Sequence, residues 1–163
     1  MLLERISRNV QGLPGSDVLS GRPAAQMSVD IEFPIEFLIE GVPLSLGASS
    51  DSKEKWKARI AAAAKAELQE GYWATTEPLA VTIFYFPSAN MQGDIDNIVK
   101  PILDSLAHVI YVSDRQVERL LVQKFGPGRL SSFSDPSACL AEALERERPI
   151  VYVRIDNDVS RGV

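Results

Sequence analysis

The chain has 163 residues, 45% of them apolar and 24% charged, with 10 glycines and 10 prolines, a profile that fits one globular domain and excludes a fibrous chain or two large domains. Its 17 Lys plus Arg stand against 22 Asp plus Glu, a net charge of -5, which argues against non-specific nucleic-acid binding by the whole surface and leaves room for a local basic groove. Cys139 is the single cysteine and His108 the single histidine, so one chain offers neither a disulfide framework nor a Cys/His zinc site.

In chain order, residues 1–30 carry the breakers Gly12, Pro14, Gly15, Gly21 and Pro23 without sustained periodicity, and are expected to form a disordered extension before a domain spanning 31–163. The opening Met-Leu-Leu-Glu-Arg puts charge where a signal peptide needs its apolar core, and no apolar run approaches the length of a membrane span. The expectation is a cytoplasmic protein with no membrane partner. Phe33, Ile35, Phe37 and Ile39 alternate with polar positions and predict a strand ended by Gly41, with Pro34 favouring an edge position or a start near Ile35. Ser50, Asp51 and Ser52 offer caps to a helix in which Trp56, Ile60, Ala64 and Leu68 recur every four residues, closed by Gly71. A second strand, covered on both faces, runs from Leu79 to Phe86.

Next comes a helical segment from Asp94 to His108 that contains Pro101. Either the helix begins near Asn97, or residues 94–100 are partly extended and it begins at Pro101. A third strand is predicted from Val117 to Lys124, a loop through Ser137, a short helix from Ala138 to Arg146 and a fourth strand from Pro149 to Ile155. The order β-α-β-α-β-α-β, with few short strands and no Gly-rich phosphate loop, predicts an α+β fold: one small mixed β-sheet with helices packed on it.

The densest polar feature is Asp94, Asp96, Asn97, Lys100 and Asp104, followed by Asp114. In a helix, Asp96, Lys100 and Asp104 share a face by their i, i+4, i+8 spacing; in an extended segment, Asp94 and Asp96 point the same way. Converged carboxylates about 4 Å apart repel by roughly 4 kcal/mol at an effective dielectric of 20, so they call for a proton, a cationic partner or a metal. An oxygen-only donor set selects a hard ion, Mg²⁺ with Mn²⁺ as substitute. The same aspartates and Asn97 are also good helix caps, and Lys100 also suits a surface ion pair. Lys53, Lys55, Lys57 and Arg59 around Trp56 read as a solvated helix face or as phosphate contacts. On strand periodicity, Arg115 and Arg119 fall on one face and Lys124 on the other, so the two arginines are expected beside the acidic cluster. His108 suits a helix end, and Cys139 the core.

The stretch Gly93-Asp-Ile-Asp-Asn-Ile-Val-Lys-Pro-Ile-Leu-Asp-Ser-Leu106, with Val112-Ser-Asp-Arg-Gln-Val117 after it, resembles the signature of the RusA family of Holliday-junction resolvases, Asp-x-Asp-Asn-x-x-Lys with a further Asp-x-Leu and then Asp-Asp-x-Gln-Val. Weaker similarity extends over most of residues 33–125. The resemblance implies a homodimeric, Mg²⁺-dependent endonuclease acting on four-way DNA junctions. Asp94, Asp96 and Asp114 would then be the metal ligands and Lys100 a catalytic cation, with Asn97, Asp104 and Gln116 in support. Arg115, Arg119, Lys53 and Lys57 are candidate DNA contacts. Ser113 departs from the pattern by replacing the first aspartate of the family's pair, and the acidic balance is unusual for a junction binder. Two other readings stay open: a related nuclease for other branched or single-stranded DNA, and a non-catalytic binding or assembly module.

Overall fold

The computed structural model describes residues 29–44, 47–90, 94–128 and 132–160. The extension expected over residues 1–30 therefore lies outside the described residues, apart from its last two. Four strands, β1 (Ile35–Glu40), β2 (Leu79–Phe86), β3 (Val117–Lys124) and β4 (Ile150–Asp156), interleave with α1 (Ser50–Ala66), α2 (Asp96–Leu106) and α3 (Ala138–Glu145). They form one sheet in the order β1-β4-β2-β3. The β1–β4 and β4–β2 pairs are antiparallel and β2–β3 is parallel, so the sheet is mixed and the fold α+β as predicted.

Strand periodicity explains how the layers are divided. Ile35, Phe37, Ile39, Val81, Ile83, Tyr85, Val151, Val153 and Ile155 project to one face, where Trp56, Ile60 and Ala64 of α1 and Ile98, Ile102 and Leu106 of α2 complete the larger core. Phe84, Phe86, Ile150 and Tyr152 project to the other face, beneath Leu140 and Ala143 of α3. Every residue of β2 is buried, because this central strand is covered on both sides.

Several boundaries differ from expectation. Helix α1 ends at Ala66 with Glu67 as C-cap, and Gly71, at φ +82°, forms a later turn from which half-buried Leu68 still reaches the core. Helix α2 starts at Asp96, so of the two starts considered the one near Asn97 holds, with Pro101 in the second turn; the proline ring supplies no N–H to the Asn97 carbonyl, and the apolar face formed by Ile98, Ile102 and Leu106 outweighs that loss. The β2–β3 register shifts between Leu79, opposite Val117, and Ala80, opposite Arg119. Glu118 is the extra residue of this bulge, and beyond it the β3 side chains have exchanged faces.

Candidate active site

Helix α2 carries the motif beside α1 on one face of the sheet. Lys100 Nζ donates to Asp104 Oδ1 at 2.6 Å, one of the two partners, Asp96 and Asp104, that the spacing allows, with the Lys100 side chain largely solvated and that of Asp104 partly so. This bond and the nearby negative charge of Asp104 hold the Lys100 pKa above its ordinary value, and Asp114 adds to the effect from outside the helix. Tyr111 lies beneath the group: it is fully buried, and its hydroxyl donates to the Leu103 carbonyl at 2.7 Å. Burial raises its pKa, and the charges of Asp114 and Asp104 push it further in the same direction. One phenol thus lies within electrostatic reach of both carboxylates. The sequence reading did not single out Tyr111; its only signal was a polar-tipped ring in the short apolar run Val109-Ile-Tyr-Val112.

Asp114 opens a single 3₁₀ turn, Asp114–Gln116, whose N-cap is Ser113. Ser113 Oγ accepts the Arg115 amide at 3.3 Å. Gln116 Oε1 accepts the Val112 and Ser113 amides at 3.0 and 2.9 Å, while its Nε2 donates to the Thr75 and Glu77 carbonyls, each at 2.9 Å. Both ends of this one amide are therefore used twice, and they tie the turn carrying Asp114 to the segment that feeds β2. A serine at position 113 serves the turn as a cap. The expected support from Gln116 takes this concrete form.

The carboxylates are less closely gathered than expected. Asp96 is the first residue of α2, and its Oδ1 accepts the Asn97 amide at 3.0 Å. The N-cap is Ile95, with helical dihedrals and no side-chain cap bond, so neither Asp94 nor Asn97 caps the helix. Asp94, Asp96 and Asp114 are all exposed. Among the described residues, no three His, Cys, Asp or Glu side chains come close enough together to hold a metal ion. Asp96 accepts from the backbone of its own helix, and Asp114 sits on a turn that Gln116 ties to the approach to β2. The donor chemistry, carboxylate oxygen throughout, still matches a hard divalent cation.

The candidate DNA contacts divide. Lys53 and Lys57 of α1 line the same small cavity, about 120 Å³, as Lys100, Pro101 and Asp104 of α2. The pairing of α1 with α2 thus joins three lysines that the sequence spreads over two helices. Lys57 also approaches Glu54 at 3.8 Å. Arg115 lies in the 3₁₀ turn, where strand periodicity does not apply. Arg119 corrects the expectation: the bulge at Glu118 turns it to the α3 face, in register with Ala80 and beside Thr82 and Phe84, away from α2. His108 follows the C-cap of α2 at φ +65°, a left-handed position, and its amide donates to the Tyr111 carbonyl at 2.6 Å; its backbone serves a turn. Cys139 packs against the smaller core, and burial lifts its thiol to about 11, so it is a poor nucleophile.

No helix among the described residues is long and apolar enough to cross a membrane. A family model described as Endodeoxyribonuclease RusA matches residues 47–131, a little over half of the chain. The match spans α1, β2, α2, the 3₁₀ turn and β3. No curated protein matches the chain.

Proposed function

From the premise that this chain belongs to the RusA endodeoxyribonuclease family, whose activity is that of Holliday-junction nucleases, we propose that it is a Mg²⁺-dependent enzyme that resolves four-way DNA junctions by paired, symmetric phosphodiester hydrolysis. The observation that carries this reading is the family match over residues 47–131, a span that includes Asp94, Asp96, Asn97, Lys100, Asp104 and Asp114. Asp94, Asp96 and Asp114 are the side chains that would hold Mg²⁺, or Mn²⁺ in its place. When bound, such an ion lowers the pKa of a water and offsets charge on the phosphate oxygens. Asn97 orients Asp96 through its backbone amide, and Gln116 fixes the turn that presents Asp114.

Lys100 is the cation for the phosphate. Its ammonium has three donors, and with one bound to Asp104 the others remain for non-bridging oxygens. A lysine ammonium is charged at neutral pH without help; the bond to Asp104 fixes where it sits, so the positive charge is in place before negative charge grows in the transition state. Lys53 and Lys57, on the same cavity, extend the positive surface along the bound strand, and Arg115 follows Asp114 in the 3₁₀ turn as a further candidate contact. Hydrolysis leaves 5′-phosphate and 3′-hydroxyl ends. Because a junction offers two equivalent phosphates, a two-fold homodimer presents one site to each. The enzyme works in the cytoplasm, on DNA.

The test is incubation of the purified chain with labelled four-way junction, linear duplex and single strand, each with Mg²⁺ and with EDTA. Junction cleavage that requires Mg²⁺ and exceeds that of duplex supports the reading. Equal cleavage of all three substrates points to a nuclease of broader range. Metal-independent binding without cleavage points to an assembly module.

A further inference from the structure

Strand β3 is an edge of the sheet: among the described residues it pairs with β2 alone. The Phe125 amide donates to the Tyr85 carbonyl at 2.8 Å, and that bond fixes which backbone groups of β3 are used. In a parallel ladder, alternate residues turn both N–H and C=O to the neighbouring strand, so Arg119, Leu121 and Gln123 bond β2 while Leu120, Val122 and Lys124 turn theirs outward. No described backbone group meets those of Leu120 and Val122. The centre of the strand is the apolar run Leu120-Leu-Val122 without a proline, and Leu120 is 41% exposed. The opposite edge, β1, is shorter, and Pro34 stands just before it. An open apolar edge such as β3 is a template for another strand.

The residues of the edge say which strand. Two copies of β3 related by a two-fold axis run antiparallel, and their outward residues must lie opposite one another to exchange hydrogen bonds. Three registers centred on the apolar run meet that condition. Centred on Leu120, Glu118 stands opposite Val122 of the second copy; centred on Val122, Leu120 stands opposite Lys124. Centred on Leu121, every pair matches: Leu120 lies opposite Val122, Arg119 opposite Gln123 and Glu118 opposite Lys124, with Leu121 beside its own mate. Apolar pairs and opposite charges directly across a ladder are what stabilises a sheet. The edge is therefore complementary to itself in one register.

We propose that β3 is the seam of a homodimer, in which two copies pair edge to edge about Leu121 into one continuous sheet with four strands from each. This assigns the interface of the homodimer in the proposed function, and it rests on that reading only for its use on DNA. The bulge at Glu118 lies at the end of the seam and leaves its centre regular. Since the 3₁₀ turn that carries Asp114 leads into β3, the axis puts the two Asp114 turns at opposite ends of the seam, one for each equivalent phosphate.

The test is a cysteine scan of the full chain, without DNA or metal, in a Cys139→Ser background that leaves the introduced thiol as the only one. Under mild oxidation Leu121→Cys should link two copies, because facing residues of a non-hydrogen-bonded pair have Cα atoms about 4.5 Å apart, inside the disulfide range. Leu120→Cys and Val122→Cys should not link, since each lies diagonally from its own mate, beyond about 7 Å. Leu121 packs against the smaller core, so two further variants read the seam by light scattering without altering it. Leu120→Lys sets a charge on the apolar run, and Val122→Pro removes an outward N–H that β2 does not use. Each should weaken dimerisation at least about ten-fold with unchanged circular dichroism. A monomeric wild-type chain, links at Leu120→Cys or Val122→Cys in place of Leu121→Cys, or a dimer that both variants leave intact would overturn the inference. Since no DNA is present, a chain that pairs through β3 but cuts nothing refutes the nuclease reading alone. One that cuts junctions without the link at Leu121→Cys refutes the seam alone.

Discussion

Lys100 is an exposed lysine whose position is nevertheless defined, because Asp104 holds it one helical turn away and the Asp114 charge reaches it from a separate element. An exposed pair of this kind adds little to stability, so its value lies in where the ammonium is held. Lys100→Ala is therefore expected to lower the single-turnover cleavage rate more than junction affinity, and rates and binding titrations measured on the same preparation separate the two. Lys53→Ala and Lys57→Ala should do the opposite, weakening binding and flattening its salt dependence, if the strand follows their shared cavity. A Lys100→Ala variant that lost only affinity would reduce this residue to a positioning role. The carboxylates carry the stricter expectation. Asp94→Asn, Asp96→Asn and Asp114→Asn should each cost at least about 100-fold in Mg²⁺-dependent cleavage with unchanged circular dichroism. Near-normal activity in any one of them removes that residue from the site.

Gln116 shows how an element, more than a single group, places the chemistry. Its four hydrogen bonds join the 3₁₀ turn to the approach to β2, so Gln116→Ala leaves backbone groups on both segments without partners. A loss of about 1–3 kcal/mol in urea unfolding is expected, together with a cleavage defect from the loosened Asp114. Gln116→Glu keeps the acceptor but sets a carboxylate against the Thr75 and Glu77 carbonyls, and should be no better; full stability in both variants would show the clamp to be dispensable. At this scale much was legible in the sequence. The run Leu79–Phe86 and the run Val117–Lys124 read directly as strands, because strand periodicity and bounding turn residues agree. Helical spacing put Lys100 within reach of both Asp96 and Asp104, and the fold pairs it with Asp104. What escaped was set by pairing between distant segments: the face of Arg119 depends on an extra residue in β3 relative to β2, and no local pattern encodes that. The meeting of Lys53 and Lys57 with Lys100 depends likewise on α1 packing on α2. The end of α1 was overrun because Leu68 continues the four-residue apolar spacing past the last helical turn.

For the whole molecule, a net charge of -5 sets a long-range field that repels DNA. Junction binding must then come from a local positive surface, and a homodimer doubles that surface about the two-fold axis. Light scattering is expected to give a dimer, and junction affinity to fall steeply with salt despite the acidic composition. A monomer with salt-independent binding would favour the assembly-module reading. The central claim, that this chain resolves junctions by paired hydrolysis, is tested most directly on a four-way junction whose strands are labelled one at a time, cut in Mg²⁺ and then treated with DNA ligase. The predicted result is a cut at equivalent positions in two opposed strands, with ends that the ligase seals. Cuts confined to one strand, ends that resist sealing, or equal degradation of a linear duplex would contradict it.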